Sequence, residues 1–140
     1  MRIVVDTNVF LAAILSRGAA NSVIAACLRG QALPLMGTTL LAEYEDVLGR
    51  AALFTQCRLS SAERSELLDI FLAVCEWTPV YFGWRPNLSD EGDNHLVELA
   101  VAGSARFLVT RNLRDLSRIK LHFPELRVCG PDDFLRELKS

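Results

Sequence analysis

Short apolar runs alternate with amphipathic stretches along this chain. The first run, Ile3 to Val5, is β-branched, as is usual in a strand buried on both faces of a parallel sheet. Phe107 to Val109 and Arg127 to Cys129 predict two more short strands. Leu33 to Met36 predicts a fourth, which Pro34 should restrict to a sheet edge or a strand end because proline cannot donate to the ladder.

Helical periodicity occupies the intervals between these strands. Ser60 and Glu63 have the spacing of a capping box, and Pro79 to Trp84 predicts a strand or a loop. Strands that alternate with helices indicate βαβ units, so we expect an α/β fold with a mostly parallel sheet, in a single domain spanning residues 1–140. The predicted helices are Asn21 to Leu28, ending near Gly30; a helix capped by Thr38 or Thr39 that runs toward Gly49; Ser61 to about Glu76; Asp93 to Ala102; and a closing helix from Pro131.

Polar residues follow two of the predicted strands directly. In a parallel sheet the ligand crevice lies at the carboxyl ends of the strands. Asp6 follows the first strand, with Asn8 two residues later, and Thr110 and Asn112 follow the strand that ends at Val109. A ligand site is one interpretation of Asp6, and a strand end or a cap of the next helix is the other.

Glu43 and Glu45, two residues apart in one predicted helix, are alternative candidates for the same crevice. On a helical wheel Glu43 borders one edge of an apolar stripe and Glu45 borders the other, so periodicity does not choose between them. A solvated flank is the alternative for either. The stripe consists of Leu40, Tyr44, Val47 and Leu48.

Asp93 falls within the apolar stripe of its predicted helix, which contains Leu96, Val97 and Ala100. A carboxylate on the core side of a helix needs a partner. The alternative is a helix N-cap, although Asp90 could supply that cap and release Asp93 for the crevice.

The remaining polar candidates lie near the strand that ends at Val109 or carry imidazole. Asp115 is either a ligand, with Thr110 and Asn112 supplying neutral hydrogen bonds beside it, or the cap of a short turn. His95 and His122 show no metal-ligand spacing, and we expect both at the surface.

Composition limits the setting in which such a site works. The net charge of −2 argues against a broad electrostatic nucleic-acid binder, but not against local binding through a metal. Residues 106–120 carry five cationic side chains against Asp115 alone, so this segment is either a local basic rim or an ordinary solvated face.

No apolar stretch reaches the ~18 residues of a membrane helix. Four scattered cysteines fit buried thiols in a reducing cytosol, so we expect a cytoplasmic protein.

The mean hydropathy of +0.23 hints at apolar surface covered by another chain. From Leu67 to Cys75 the predicted helix is apolar almost all the way round, with Asp69 as its clear polar interruption. We therefore expect this helix at a protein–protein interface. Burial by neighbouring helices of the same chain is the alternative.

Four segments together resemble the PIN-domain ribonucleases, specifically the short VapC-like toxins, over essentially the whole chain. Asp6-Thr7-Asn8 is similar to the first motif of that family and Leu40-Leu41-Ala42-Glu43 to the second, which favours Glu43 over Glu45. Asp93-Asn94 is similar to the third, and Thr110-Arg111-Asn112 with Asp115 to the fourth. Gly92 stands where relatives often carry an acid, and so does Asn112 in the fourth motif. These departures put a strict two-metal mechanism in doubt.

The resemblance implies a three-layer α/β/α fold and a Mg²⁺- or Mn²⁺-dependent endoribonuclease. It assigns the metal to Asp6, Asp93 and Asp115, and catalysis to these three with Glu43, which would orient or deprotonate water or complete a second metal site. Supporting roles go to Asn8, Asp90, Thr110 and Asn112. The expected partners are RNA, a cognate antitoxin and a second copy of the chain in a homodimer.

Two other functions compete with this one. A haloacid-dehalogenase-like phosphatase also has an aspartate after its first strand, but needs a second aspartate where Asn8 stands. A non-catalytic PIN-like interaction domain is the rival from a different class, and a metal titration combined with a nuclease assay separates the three.

Overall fold

The computed structural model describes residues 1–80, 94–113 and 123–139. Its sheet is built entirely from parallel pairings, in the order β3-β2-β1-β4-β5. The predicted α/β class is therefore confirmed. The five strands are β1 (Arg2–Val5), β2 (Leu33–Met36), β3 (Glu76–Trp77), β4 (Phe107–Val109) and β5 (Arg127–Cys129).

Six α-helices connect and cover these strands in the described part of the chain. They are α1 (Thr7–Leu15), α2 (Ala19–Leu28), α3 (Thr38–Leu48), α4 (Ser61–Val74), α5 (Asn94–Ala102) and α6 (Pro131–Lys139), and a short 3₁₀ helix spans Ala51–Phe54. Among them no single helix is long and apolar enough to cross a membrane, although α1 and α2 taken together have the length and composition of a span bent by 106°.

The path of the chain through the sheet reverses between β1 and β4. From β1 the chain moves outward to β2 and then β3, and it returns to β4 on the other side of β1. Val5 stands in register with Val109, so these two neighbouring strands end side by side. In an open α/β sheet, a crevice forms at the carboxyl ends of the strands where the direction of winding reverses. The residues after Val5 and Val109 therefore occupy the expected ligand position.

Several predicted element boundaries are wrong. Gly37, rather than Thr38 or Thr39, occupies the N-cap of α3, without a side-chain cap. Of the two places allowed for Pro34, a sheet edge and a strand end, the edge is excluded because β2 lies inside the sheet. Pro34 is the second residue of β2, and β3 pairs with Leu35 and Met36, beyond the proline. α4 ends at Val74, and the glutamate assigned to it, Glu76, begins the edge strand β3.

Other local predictions are confirmed. Ser60 and Glu63 form a reciprocal capping box at the start of α4, with bonds of 2.8 and 3.1 Å. α2 ends before Gly30, which adopts a positive φ of 79°. Pro131 begins the closing helix, as its fixed φ favours.

The apolar helix α4 has an inner and an outer face. Leu68 and Phe71 are buried, and the ring of Phe71 stacks on that of Tyr44. Ile70 is 47% exposed, and Trp77 on the following edge strand is 55% exposed. Neighbouring elements of the chain therefore cover one side of α4 and leave the other side partly apolar and open.

Candidate functional site

Asp6 lies at the point where the winding of the sheet reverses. Its backbone N–H donates to Val109 O at 3.0 Å, which continues the pairing of β1 with β4 by one residue. Asp6 is also the N-cap residue of α1, yet its side chain makes no capping hydrogen bond. An aspartate at this position usually accepts from a backbone N–H of the first turn. Its carboxylate is instead used in side-chain contacts at the end of the sheet, although only 7% of the residue is exposed.

Three neighbouring side chains donate to this carboxylate. The Thr110 hydroxyl donates to Oδ2 at 2.8 Å, and the Asn8 amide donates to the same oxygen at 3.3 Å. The Thr7 hydroxyl donates to Oδ1 at 3.3 Å. All three donors are neutral, and no cationic side chain pairs with Asp6 within the described ranges. The carboxylate is thus oriented without being neutralised.

Asn8 and Thr110 also join the loops that follow β1 and β4. The Asn8 amide donates to Thr110 Oγ1 at 3.3 Å, and its carbonyl oxygen accepts from the backbone N–H of Arg111 at 3.1 Å. The backbone N–H of Asn112 donates to Thr110 Oγ1 at 3.0 Å. The two predicted supporting residues therefore hold Asp6 within a continuous polar network.

Tyr44 fixes helix α3 against the end of β1. Its side chain is buried, and its hydroxyl donates to Val5 O at 2.7 Å. The ring packs with those of Phe10 and Phe71, at centroid distances of 5.2 and 6.0 Å. Because Glu43 precedes Tyr44 in the helix, this anchor brings Glu43 to the same end of the sheet as Asp6.

The surroundings of Glu43, including the negative charge of Asp6, change the pKa of its carboxyl. Burial raises the pKa of the Glu43 carboxyl above its ordinary value, nearby His95 opposes that rise, and the charge of Asp6 adds to it. Glu43 is thus within range of the Asp6 charge, whereas Glu45 is exposed on the other flank of α3.

His95 corrects another expectation from the sequence. Its side chain is 17% exposed rather than on the open surface, and Nε2 lies 2.7 Å from Oε2 of Glu43. The contact joins α5 to α3 at the edge of the candidate site. Spacing gave no indication of it, because the two residues are far apart in the chain.

The other predicted acids lie outside the described residues. This applies to Asp93 and Asp90, just before α5, and to Asp115. The apolar stripe predicted after Asp93 does face the core, since Leu96 and Val97 are 2% and 0% exposed. Within residues 1–80, 94–113 and 123–139, no three His, Cys, Asp or Glu side chains form a cluster able to hold a metal.

The described part of the site nevertheless suits a hard divalent cation. The charge of Asp6 acts on Glu43 and raises its pKa, and Asp6 has no cationic partner among the described residues. Gathering like charges in a partly buried place is unfavourable unless a cation balances them. Mg²⁺ and Mn²⁺ prefer carboxylate, carbonyl and water oxygens, which is the donor chemistry found at Asp6.

The four cysteines are all unpaired. Burial raises the thiol pKa of Cys27 and Cys75 to about 12 and that of Cys129 to about 11, so these three remain protonated near neutral pH. Their behaviour is that of small apolar side chains, as the sequence predicts.

Comparison with known proteins identifies this arrangement. The PIN domain family matches residues 2–114, which include β1 with Asp6, α3 with Glu43 and β4 with Thr110. The chain belongs to the PIN domain family. This assignment goes against the haloacid-dehalogenase-like alternative, in agreement with Asn8 at the position where that chemistry needs an acid.

A similar fold is also found among solved structures. The crystal structure of VapBC2 from Rickettsia felis bound to a DNA fragment from their promoter contains a chain similar to this one, with a TM-score of 0.59 and 18% identity. The similarity covers 93% of this chain and 98% of that chain. At this identity the likeness concerns the fold. No curated protein matches the sequence.

Proposed function

We propose that this PIN domain is a divalent-metal-dependent endoribonuclease that acts as the toxin of a toxin–antitoxin pair. The observation that carries the proposal is the buried Asp6 carboxylate, which neutral donors orient where the winding of the sheet reverses and whose charge acts on Glu43. PIN nucleases generally use divalent metals. A buried, oriented carboxylate that no cationic side chain pairs with in the described ranges supports the same chemistry in this chain.

Asp6, Asp93 and Asp115 are the proposed ligands of the cation. When bound, a Mg²⁺ or Mn²⁺ ion lowers the pKa of a water molecule and neutralises charge on the phosphate. Asn8 and Thr110 orient the Asp6 carboxylate through their hydrogen bonds, and Asn112 and Asp90 are assigned to the same supporting shell.

Glu43 has a different proposed role from the three aspartates. It orients or deprotonates the attacking water, or completes a second metal site. Its raised pKa suits a base, because a base works best when its pKa approaches the working pH. In-line attack by water leaves a 5′-phosphate and a 3′-hydroxyl on the RNA.

The substrate and partner assignments rest on charge and on similarity. Net charge is −2, so RNA would be held locally, and the exposed side chain of Arg111 lies beside the polar network at the end of β4. The similar chain belongs to a VapBC complex, which supports an antitoxin partner for this protein. The exposed apolar side of α4 supports a second contact surface, for a homodimer or for the antitoxin. We propose a cytoplasmic location, where RNA and such partners occur.

A nuclease assay with controlled metal content tests the function. Purified protein is incubated with RNA in EDTA, and Mg²⁺ or Mn²⁺ is then added in excess. We expect cleavage only after metal is supplied, with 5′-phosphate product ends. Undiminished cleavage in EDTA contradicts the metal mechanism. Absence of cleavage with every metal and RNA, from folded protein, favours the non-catalytic interaction domain.

A further inference from the structure

His95 makes one close polar contact across the groove between two helices. Its Nε2 lies 2.7 Å from Oε2 of Glu43, joining α5 to α3. The next two residues of α5, Leu96 and Val97, are buried in the core. A polar ring whose nitrogens are shielded from solvent therefore calls for a physical reason.

The ring nitrogens of His95 are costly to keep in this position. Both are shielded from solvent, and neither meets the geometry of a hydrogen bond with any described residue, the close contact with Glu43 included. Leaving buried polar atoms without good partners opposes folding, and an apolar side chain would avoid the cost. The short contact with Glu43 is the interaction that offsets this cost.

Glu43 needs such a contact to stay near Asp6. The Glu43 side chain is 43% exposed, and His95 Nε2 makes a close polar contact with it at 2.7 Å. A half-exposed glutamate has many rotamers, and holding one of them costs conformational entropy. The charge of Asp6 also repels it, and this repulsion adds to burial, the main cause of the raised pKa of Glu43. Both effects would turn the carboxylate outward toward solvent.

We propose that His95 is a positioning residue that holds the Glu43 carboxylate at the Asp6 end of the sheet. It acts through Glu43 and is not assigned as a ligand of the cation. The contact needs only an N–H on Nε2, which one neutral tautomer of imidazole supplies. The inference rests on the nuclease function proposed above, since it assigns a role within that site.

A double-mutant cycle tests this dependence. His95→Ala should lower kcat for RNA about tenfold, the lower end of what loss of an outer-shell partner usually costs, with little change in KM. In a Glu43→Gln background the same substitution should change kcat less than about twofold, because its partner is already altered. His95→Gln retains an N–H donor and should recover most of the lost rate. Val101→Ala, on the exposed side of α5, serves as the control for general effects on this helix.

Mn²⁺ affinity, measured by electron paramagnetic resonance, separates positioning from ligation. In the Glu43→Gln background, His95→Ala should leave Mn²⁺ affinity unchanged within about twofold. A further tenfold loss would mean that His95 is a ligand, and additive effects on kcat would mean that it acts independently of Glu43. Either result overturns the inference while leaving the nuclease function intact. A wild-type protein that neither binds Mn²⁺ nor cleaves RNA overturns both the inference about His95 and the proposed nuclease function.

If His95→Ala fails to fold, the cycle is run with His95→Leu. The inference is then contradicted if His95→Gln is no more active than His95→Leu.

Discussion

The hydroxyl of Tyr44 donates a 2.7 Å hydrogen bond to the carbonyl oxygen of Val5. Val5 is the last residue of the central strand, and Asp6 follows it. Tyr44 in turn follows Glu43 in helix α3. One buried hydrogen bond therefore fixes the separation between the two backbone segments that carry the candidate acids. The aromatic packing of Tyr44 with Phe10 and Phe71 keeps this anchor rigid.

Tyr44→Phe should separate the effect of this hydrogen bond from the effect of the aromatic packing. The substitution keeps the ring but removes the donor to Val5, and we expect a loss of about 1 kcal/mol in the free energy of unfolding. The kcat for RNA should fall more than stability alone explains, because Glu43 is less well placed. Urea denaturation and steady-state kinetics measure the two effects. Wild-type values for both would show that the hydrogen bond does not position the site.

Thr110 gives a matched pair of substitutions at the Asp6 carboxylate. Thr110→Val has nearly the same shape but cannot donate to Oδ2, so we expect a loss of about 1.5–3 kcal/mol in stability and ~10–100-fold in Mn²⁺ affinity. Thr110→Ser keeps the hydroxyl and should retain most of both. Isothermal titration with Mn²⁺ compares them. Equal Mn²⁺ affinities for the valine and serine variants would contradict the role assigned to the Thr110 hydroxyl.

The raised pKa of Glu43 predicts a pH dependence of stability in metal-free protein. A carboxyl with a higher pKa when folded binds its proton more tightly in the folded state, so its contribution to stability is greatest at low pH. That contribution is lost as pH rises from the ordinary value of 4.5 through the raised pKa. Glu43→Gln should therefore show a smaller decline over this interval. Urea midpoints in EDTA at several values between about pH 4 and 7 test the difference. Parallel curves for the two proteins would contradict the shift.

The two faces of α4 predict opposite outcomes for neighbouring substitutions. Phe71 is 1% exposed, so Phe71→Glu should unfold the protein by burying a charge. Ile70 is 47% exposed, so Ile70→Glu should fold normally and weaken association with a second copy or an antitoxin. Circular dichroism and sedimentation velocity distinguish these results. A wild-type protein that is monomeric and binds no partner would remove the interface assigned to α4.

The fold was largely predictable because apolar runs mark strands that are buried on both faces. Ile3 to Val5 and Phe107 to Val109 are 0–2% exposed, which explains their unbroken hydrophobicity. α1 was missed because its residues are almost uniformly apolar and show no helical stripe. β3 was missed because it has two residues and follows α4 without a break, so propensity carries too little information.

The candidate site was less predictable because its contacts join distant parts of the chain. Periodicity did not choose between Glu43 and Glu45. The family resemblance favoured Glu43, and the fold then placed Glu43 within range of the Asp6 charge. Tyr44 left a trace in the sequence, since a buried tyrosine hydroxyl requires a partner. His95 left none, because its role depends on how α5 packs against α3. The roles of Asp93 and Asp115 remain predictions.

Cleavage of RNA by Asp6→Asn in saturating Mn²⁺ tests the central claim most directly. The substitution keeps the shape of the side chain and the Thr110 hydrogen bond, but removes the charge that would hold the cation. Glu45→Gln, on the exposed flank of α3, is the control. We expect folded Asp6→Asn to lose cleavage by orders of magnitude and Glu45→Gln to retain it. Asp6→Asn cleavage at the rate of the wild type would contradict a metal-dependent nuclease centred on Asp6.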